Sequence, residues 1–238
     1  MLFEIPMPGF RIPVSDVVIA TWVVMAIIIG LAVLLTARMK VIPGKRQVLA
    51  EMLVDTVNGL VRDHAGHHYR MIAPYIGTVL IFLVTANTIS LFNIIPDWKE
   101  LFEMTGWRFF EHLPEFHLLP PTRNINVTVA LAGMSILSVV IFGIRAKGFR
   151  GWLRGFRKPN SIMLPFNILD YVIRPLSLSF RLFGNILGAM VVMELIYLAI
   201  PMGIPAALSV FFDLFDGLLQ AYIFAFLTTM YIGEVVEA

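Results

Sequence analysis

The chain of 238 residues is 58% hydrophobic and 14% charged, with a mean hydropathy of +0.83 and a formal net charge of +2. A chain this apolar is not an ordinary soluble domain, and so small a charge, clustered in short stretches, excludes nucleic acid as a partner. With no cysteine there are no disulfides, no thiolate catalysis and no Cys-ligated metals, and the redox compartment stays unread.

The opening Met1-Leu2-Phe3-Glu4-Ile5-Pro6 has neither the basic start of a signal peptide nor the character of a transit peptide. A bacterial plasma membrane is therefore the expected location. Pro6, Pro8 and Pro13 predict an extended or turn-like segment to about Ser15. Residues 17–35 form an apolar run of spanning length. Arg38, Lys40, Lys45 and Arg46 follow it and only Arg11 precedes it, so the N-terminus is expected outside.

Over residues 47–61, Leu49, Met52, Leu53, Val57 and Leu60 fall on one side, with Glu51, Asp55 and Asn58 elsewhere. That pattern predicts an amphipathic helix on the cytoplasmic surface. His64, His67 and His68 have i, i+3, i+4 spacing, but no carboxylate or cysteine completes a metal set, and solvated histidines are the simpler reading. Residues 72–95 make a second span, ended by Pro96. Residues 97–122 carry an excess of acids, with Trp98 and Trp107 as interface anchors, and are expected outside. Residues 126–144 cross back to a cluster of Arg145, Lys147, Arg150, Arg154, Arg157 and Lys158. Residues 162–200 and 206–232 are long apolar segments on either side of a turn at Pro201 to Pro205. Their length predicts a tilted hairpin, bent at Pro175, with the C-terminus cytoplasmic. The fold class is all-α: one polytopic membrane domain over 1–238, with about five membrane-embedded helices and one amphipathic surface helix.

Arg181 lies within the first of these last segments. An arginine at membrane depth costs roughly 2.5–3.5 kcal/mol on insertion scales, and it cannot shed its proton to escape that cost. At helical periodicity Ser177, Gly184, Asn185 and Gly188 share its face, and small residues there admit a close neighbouring helix. In the final segment Asp213, Asp216 and Gln220 stand at i, i+3 and i+7. Two carboxylates at this depth suit either a buried ion pair with Arg181 or an ion path ending near it. The two readings are compatible.

The run Arg181-Leu182-Phe183-Gly184-Asn185, preceded by Pro175-Leu176-Ser177-Leu178-Ser179, resembles the signature of subunit a of F-type ATP synthases. That family supplies the stationary ion-conducting partner of the rotating c-ring. Leu219-Gln220-Ala221-Tyr222-Ile223-Phe224 with Tyr231-Ile232-Gly233-Glu234 is similar to the family's last helix, and Pro121 to Thr128 to the opening of an earlier one. The resemblance implies two half-channels separated by Arg181. It also implies that Asn185 and Gln220 lie near that arginine, that Asp213 lines the outer channel, and that Ser177, Gly184 and Gly188 face the ring.

Two departures stand out: Met190 where the family usually has Glu or His, and Asn124 where Asp is usual. Asp216 is one candidate to replace the missing group and Glu194 another; spacing does not decide between them. The implied partners are the c-subunit ring, peripheral-stalk b subunits, the other synthase subunits and the lipid bilayer. No cofactor is implied, and ATP chemistry belongs to other subunits. Protons are expected ahead of sodium, although selectivity in the family rests mainly on the c-subunit. The rival classes are a secondary transporter, which usually shows inverted repeats, and a non-conducting membrane scaffold.

Overall fold

The structure, a computed structural model, describes residues 3–7, 10–14, 16–37, 39–89, 121–155, 164–199, 208 and 211–237. Strand β1 (Phe3–Met7) pairs antiparallel with β2 (Phe10–Val14), Ile5 opposite Ile12. The proline-rich opening is thus a small hairpin, and Pro6 and Pro13, lacking N–H groups, each withhold a donor from the strands. Among the described residues six α-helices follow: α1 (Asp16–Thr36), α2 (Lys45–Ala65), α3 (Tyr69–Thr88), α4 (Ile125–Gly155), α5 (Leu164–Ala199) and α6 (Gly217–Glu237). A π turn, Phe211–Asp216, leads directly into α6.

Among the described residues five helical stretches are long and apolar enough to cross a bilayer: Val17–Thr36, Lys45–Thr88, Ile125–Gly155, Leu164–Ile196 and Leu214–Glu237. The chain is an all-α polytopic membrane protein. The second stretch runs through α2 into α3. The expected external segment 97–122 lies outside the described residues except at Pro121 and Thr122, as does the turn at Pro201 to Pro205.

The bundle is held at two levels. At one end, Val57, Val61 and Ala65 of α2 meet Ile72, Ala73 and Ile76 of α3, Val139 and Phe142 of α4, and Ala225, Ile232 and Val236 of α6. The chain reverses between α2 and α3 at Gly66, whose φ of 47° is readily adopted only by glycine. There α2 comes so near α6 that a Cβ on Gly233 would run into the His64 carbonyl. Only the second half of α2 lies over its neighbours. Its expected apolar side therefore divides: Val57 is buried and Leu60 partly so, whereas Leu49, Met52 and Leu53 are exposed.

Towards the other end, Val79 and Leu83 of α3, Leu131 and Ala132 of α4, Leu178 and Leu182 of α5, and Ala221 and Phe224 of α6 form a second cluster. Lipid tails are as apolar as leucine, so hydrogen bonds between helices add specificity here. Ser135 and Thr228 join α4 to α6 at 2.9 Å, and the Tyr75 hydroxyl donates to the Met134 carbonyl at 3.1 Å. Helix α1 is attached mainly to α3, through Val24, Ala86 and Ile89.

Helix α5 is 36 residues long. At 1.5 Å per residue it measures roughly 54 Å, against a hydrocarbon core of about 30 Å. It is continuous through Pro175. Helix α4 changes course at Gly148 (φ 72°, ψ 159°), and Trp152 beyond that point meets Tyr171 of α5 edge-on at 6.3 Å.

Candidate functional site

Helix α5 rests along α4 and is covered on one side only. At about 100° per residue, going round its circumference, the order is Gly184, Ser177, Gly188, Arg181, Arg174, Asn185, Leu178, Tyr171, Leu182. Gly184, Ser177, Gly188 and Arg181 are all exposed, while Leu178 and Leu182 are buried. Nothing lies within 4 Å of where a Cβ would stand on Gly184 or Gly188. Arg181 therefore occupies the boundary between an open stripe of small residues and a stripe fixed to the bundle. Among the described residues no carboxylate pairs with it.

The fixed stripe carries two polar ties to α6. The Asn185 amide donates from Nδ2 to Oε1 of Gln220 at 2.9 Å, and Gln220 is buried. Arg174 Nη1 meets Glu234 Oε2 at 2.8 Å, and its Nη2 lies 3.6 Å from Asp170 one turn back. The Arg174 guanidinium also sits over the Tyr231 ring, 4.8 Å from its centre. As numbering rises along α5 between the ties it falls along α6, so the two helices are antiparallel.

The expected alignment of Asp213, Asp216 and Gln220 assumed an unbroken α-helix. Instead Asp213 and Asp216 both lie in the π turn, where the wider i to i+5 hydrogen bonding shifts the register, and only Gln220 belongs to α6. Asp216 is half-buried. The junction is held by Asn87, whose Nδ2 donates to the Gly217 carbonyl at 2.9 Å while its Oδ1 accepts from Thr122 at 2.8 Å. Asn87 and Thr122 are both buried, so this is a satisfied polar node at the mouth of the turn. Glu194 and Met190 are exposed on α5 and, on the same wheel, project from the opposite half of the helix to Arg181. The structure thus joins Asn185, one turn along α5 from Arg181, to Gln220, and places Glu194 on the opposite half of the helix.

Among the described residues no three His, Asp or Glu side chains gather to hold a metal. His64 Nδ1 is 3.0 Å from the Leu60 carbonyl, and its ring meets Phe226 edge-on at 4.9 Å.

The sequence profile of the family described as ATP synthase A chain matches residues 18–233, which includes every residue named above from Val24 to Ile232. The chain belongs to the ATP synthase A chain family. It is 36% identical over 224 residues to the ATP synthase subunit a of Gloeobacter violaceus, covering 94% of this chain and 84% of that one. To a protein of Propionigenium modestum named "ATP synthase subunit a, sodium ion specific" it is 34% identical over 230 residues, 96% and 77% of the two lengths. Members of the subunit a family are ion-translocating, non-catalytic parts of the membrane-embedded Fo sector and associate with the other synthase subunits.

Sequence reasoning passed over two features of this subunit a fold: the Arg174 to Glu234 tie and the Asn87 node. For the first a signal existed. Once Asn185 is set opposite Gln220 in an antiparallel pair, Arg174 falls opposite Tyr231, with Glu234 one turn away. For the second there was none, because Asn87 and Thr122 are separated by a long stretch of chain with no periodicity linking them.

Proposed function

We infer that this chain carries ions to and from a carboxylate on a ring of c-subunits, with Arg181 separating an outer from an inner half-channel. The observation that carries this is the exposed Arg181, with no carboxylate partner among the described residues, at the rim of an open small-residue stripe. Ser177, Gly184 and Gly188 give a ring helix room to approach. A permanent positive charge there favours the ionised form of each arriving carboxylate and so drives its ion off. The same charge, which cannot be lost, blocks direct passage between the half-channels. Asn185 and Gln220 hold the arginine's surroundings polar. Asp213 and Asp216, in the turn that opens α6, form the outer path, with Glu194 the other candidate to replace the group missing at Met190. The ion is the proton; the sodium-specific relative makes sodium the alternative.

The complex is assembled in the bacterial plasma membrane with peripheral-stalk b subunits, the N-terminus outside and the C-terminus in the cytoplasm. Reconstituted complex driven by a proton gradient or a sodium gradient tests the reading. Arg181→Ala should abolish synthesis while the subunit remains inserted and assembled. Arg181→Lys should fail as well, because a lysine in an apolar site can lose its proton. Near wild-type coupling in an assembled Arg181→Ala complex would end this assignment, and synthesis dependent on a sodium gradient alone would replace the proton.

A further inference from the structure

Arg181 acts, on the reading above, by pointing at a passing partner, so its direction matters as much as its charge. That direction is set by the rotation of α5 about its own axis. A helix in lipid meets little resistance to such rotation unless polar groups fix it, because lipid tails contact every apolar face about equally well. On the wheel, Arg174 lies about 20° and Asn185 about 40° from Arg181, both on the covered side. Along the axis the two are eleven residues apart, roughly 16 Å, with Arg181 between them. A helix held at one point can still pivot. Two ties on one side of the arginine, one below and one above, remove that freedom.

We propose that Arg174 is a positioning residue for Arg181. Its ion pair with Glu234, together with the Asn185 to Gln220 hydrogen bond, sets the rotation of α5 so that Arg181 stays at the edge of the open stripe. The arrangement around Arg174 suits this role. Its side chain is only 17% exposed, whereas Glu234 is 55% and Asp170 57% exposed. The shielded cation, resting on the Tyr231 ring, is the rigid half of the pair, and the acids reach in from the wetter side. Glu234 belongs to α6 and Asp170 to α5 itself, so only Glu234 ties the two helices. Losing it leaves Arg174 a partner but releases the rotation.

The test reports the geometry and the function separately. Because the chain has no cysteine of its own, single cysteines placed at Leu182 (buried) and at Met190 (exposed, on the half of α5 turned away from Arg181) report on α5 in the assembled complex without competition from this chain. The probe is a small membrane-permeant maleimide. With Arg174 and Glu234 intact, the cysteine at 190 should react at least tenfold faster than the one at 182. In the Glu234→Gln and Arg174→Met backgrounds this ratio should fall at least fivefold, and ion-driven synthesis should fall about tenfold with assembly unchanged. Arg174→Lys, which keeps the charge, should restore both. Glu234→Gln is isosteric on a half-exposed side chain, so it remains informative if Arg174→Met does not assemble. An unchanged labelling ratio in Glu234→Gln would overturn the proposal, as would a ratio that Arg174→Lys fails to restore. The proposal rests on the function assigned to Arg181, which Arg181→Ala tests alone: coupling that survives there removes the function and leaves the labelling map intact.

Discussion

An arginine keeps its charge in lipid, so sites differ in where the guanidinium can go and what shares the space with it. Arg181 has an open stripe on one side and a polar tie on the other, whereas Arg174, seven residues earlier, is held by Glu234 and Asp170. The same residue type thus stands in two ways on one helix: Arg174 is held by two acids, and Arg181 has no carboxylate beside it among the described residues. The acids invite a similar comparison. Asp213 and Asp216 lie within one six-residue turn, and on the proposed reading they form the outer path. Met190, in contrast, is an apolar side chain exposed on the far half of α5. Asp213→Asn should therefore slow ion-driven synthesis severely and Asp216→Asn measurably, while Met190→Leu, which preserves volume and apolarity, should be nearly silent. Passive ion flux into vesicles measured over a pH series checks all three. A silent Asp213→Asn alongside a crippled Glu194→Gln would move the outer path onto α5.

Helix α5 is organised by its uneven cover. A cysteine at Ser177, Gly184 or Gly188 should crosslink to a ring helix in the assembled complex, and a cysteine at Ile196 should not; equal crosslinking from all four would mean that the wrong face has been assigned. Helix α6 offers a sharper steric test. At Gly233 it touches the His64 carbonyl of α2, so Gly233→Val should cost about 1–3 kcal/mol through overpacking and lower the amount of intact subunit in the membrane, read by immunoblot, whereas Gly30→Val, with open space around it, should not. Membrane-crossing helices were legible in the sequence because an apolar run of bilayer length has few other uses. The stripe of α5 was legible for the same kind of reason, since periodicity and residue size decide it. The π turn was not, because an apolar stretch with two aspartates carries no mark of where its hydrogen bonding slips from i+4 to i+5. Nor was the divided face of α2: the pattern from Leu49 to Leu60 says that one side is apolar, not how far along the helix a neighbour reaches.

At the scale of the whole molecule, the bundle has two unlike ends. At one end lie the Gly66 reversal, the bend at Gly148 and the close of α6; at the other lie the Asn87 node and the π turn. If basic residues set the orientation, the first end is cytoplasmic. A cysteine at Met39, in the connector after α1, should then be labelled by a membrane-impermeant reagent only in inside-out vesicles, and one at Phe10 only in right-side-out vesicles; the reverse pattern would invert the topology. The one-sided cover of α5 reaches further still. A newly inserted copy without neighbours turns a charged arginine and a row of glycines towards lipid tails, a burden of roughly 2.5–3.5 kcal/mol that lasts until another subunit arrives. Surplus copies are therefore the least stable ones in the membrane, and the first to be exposed to quality-control proteases. On the proposed reading, the face that admits the ring thereby also marks the copies that lack one.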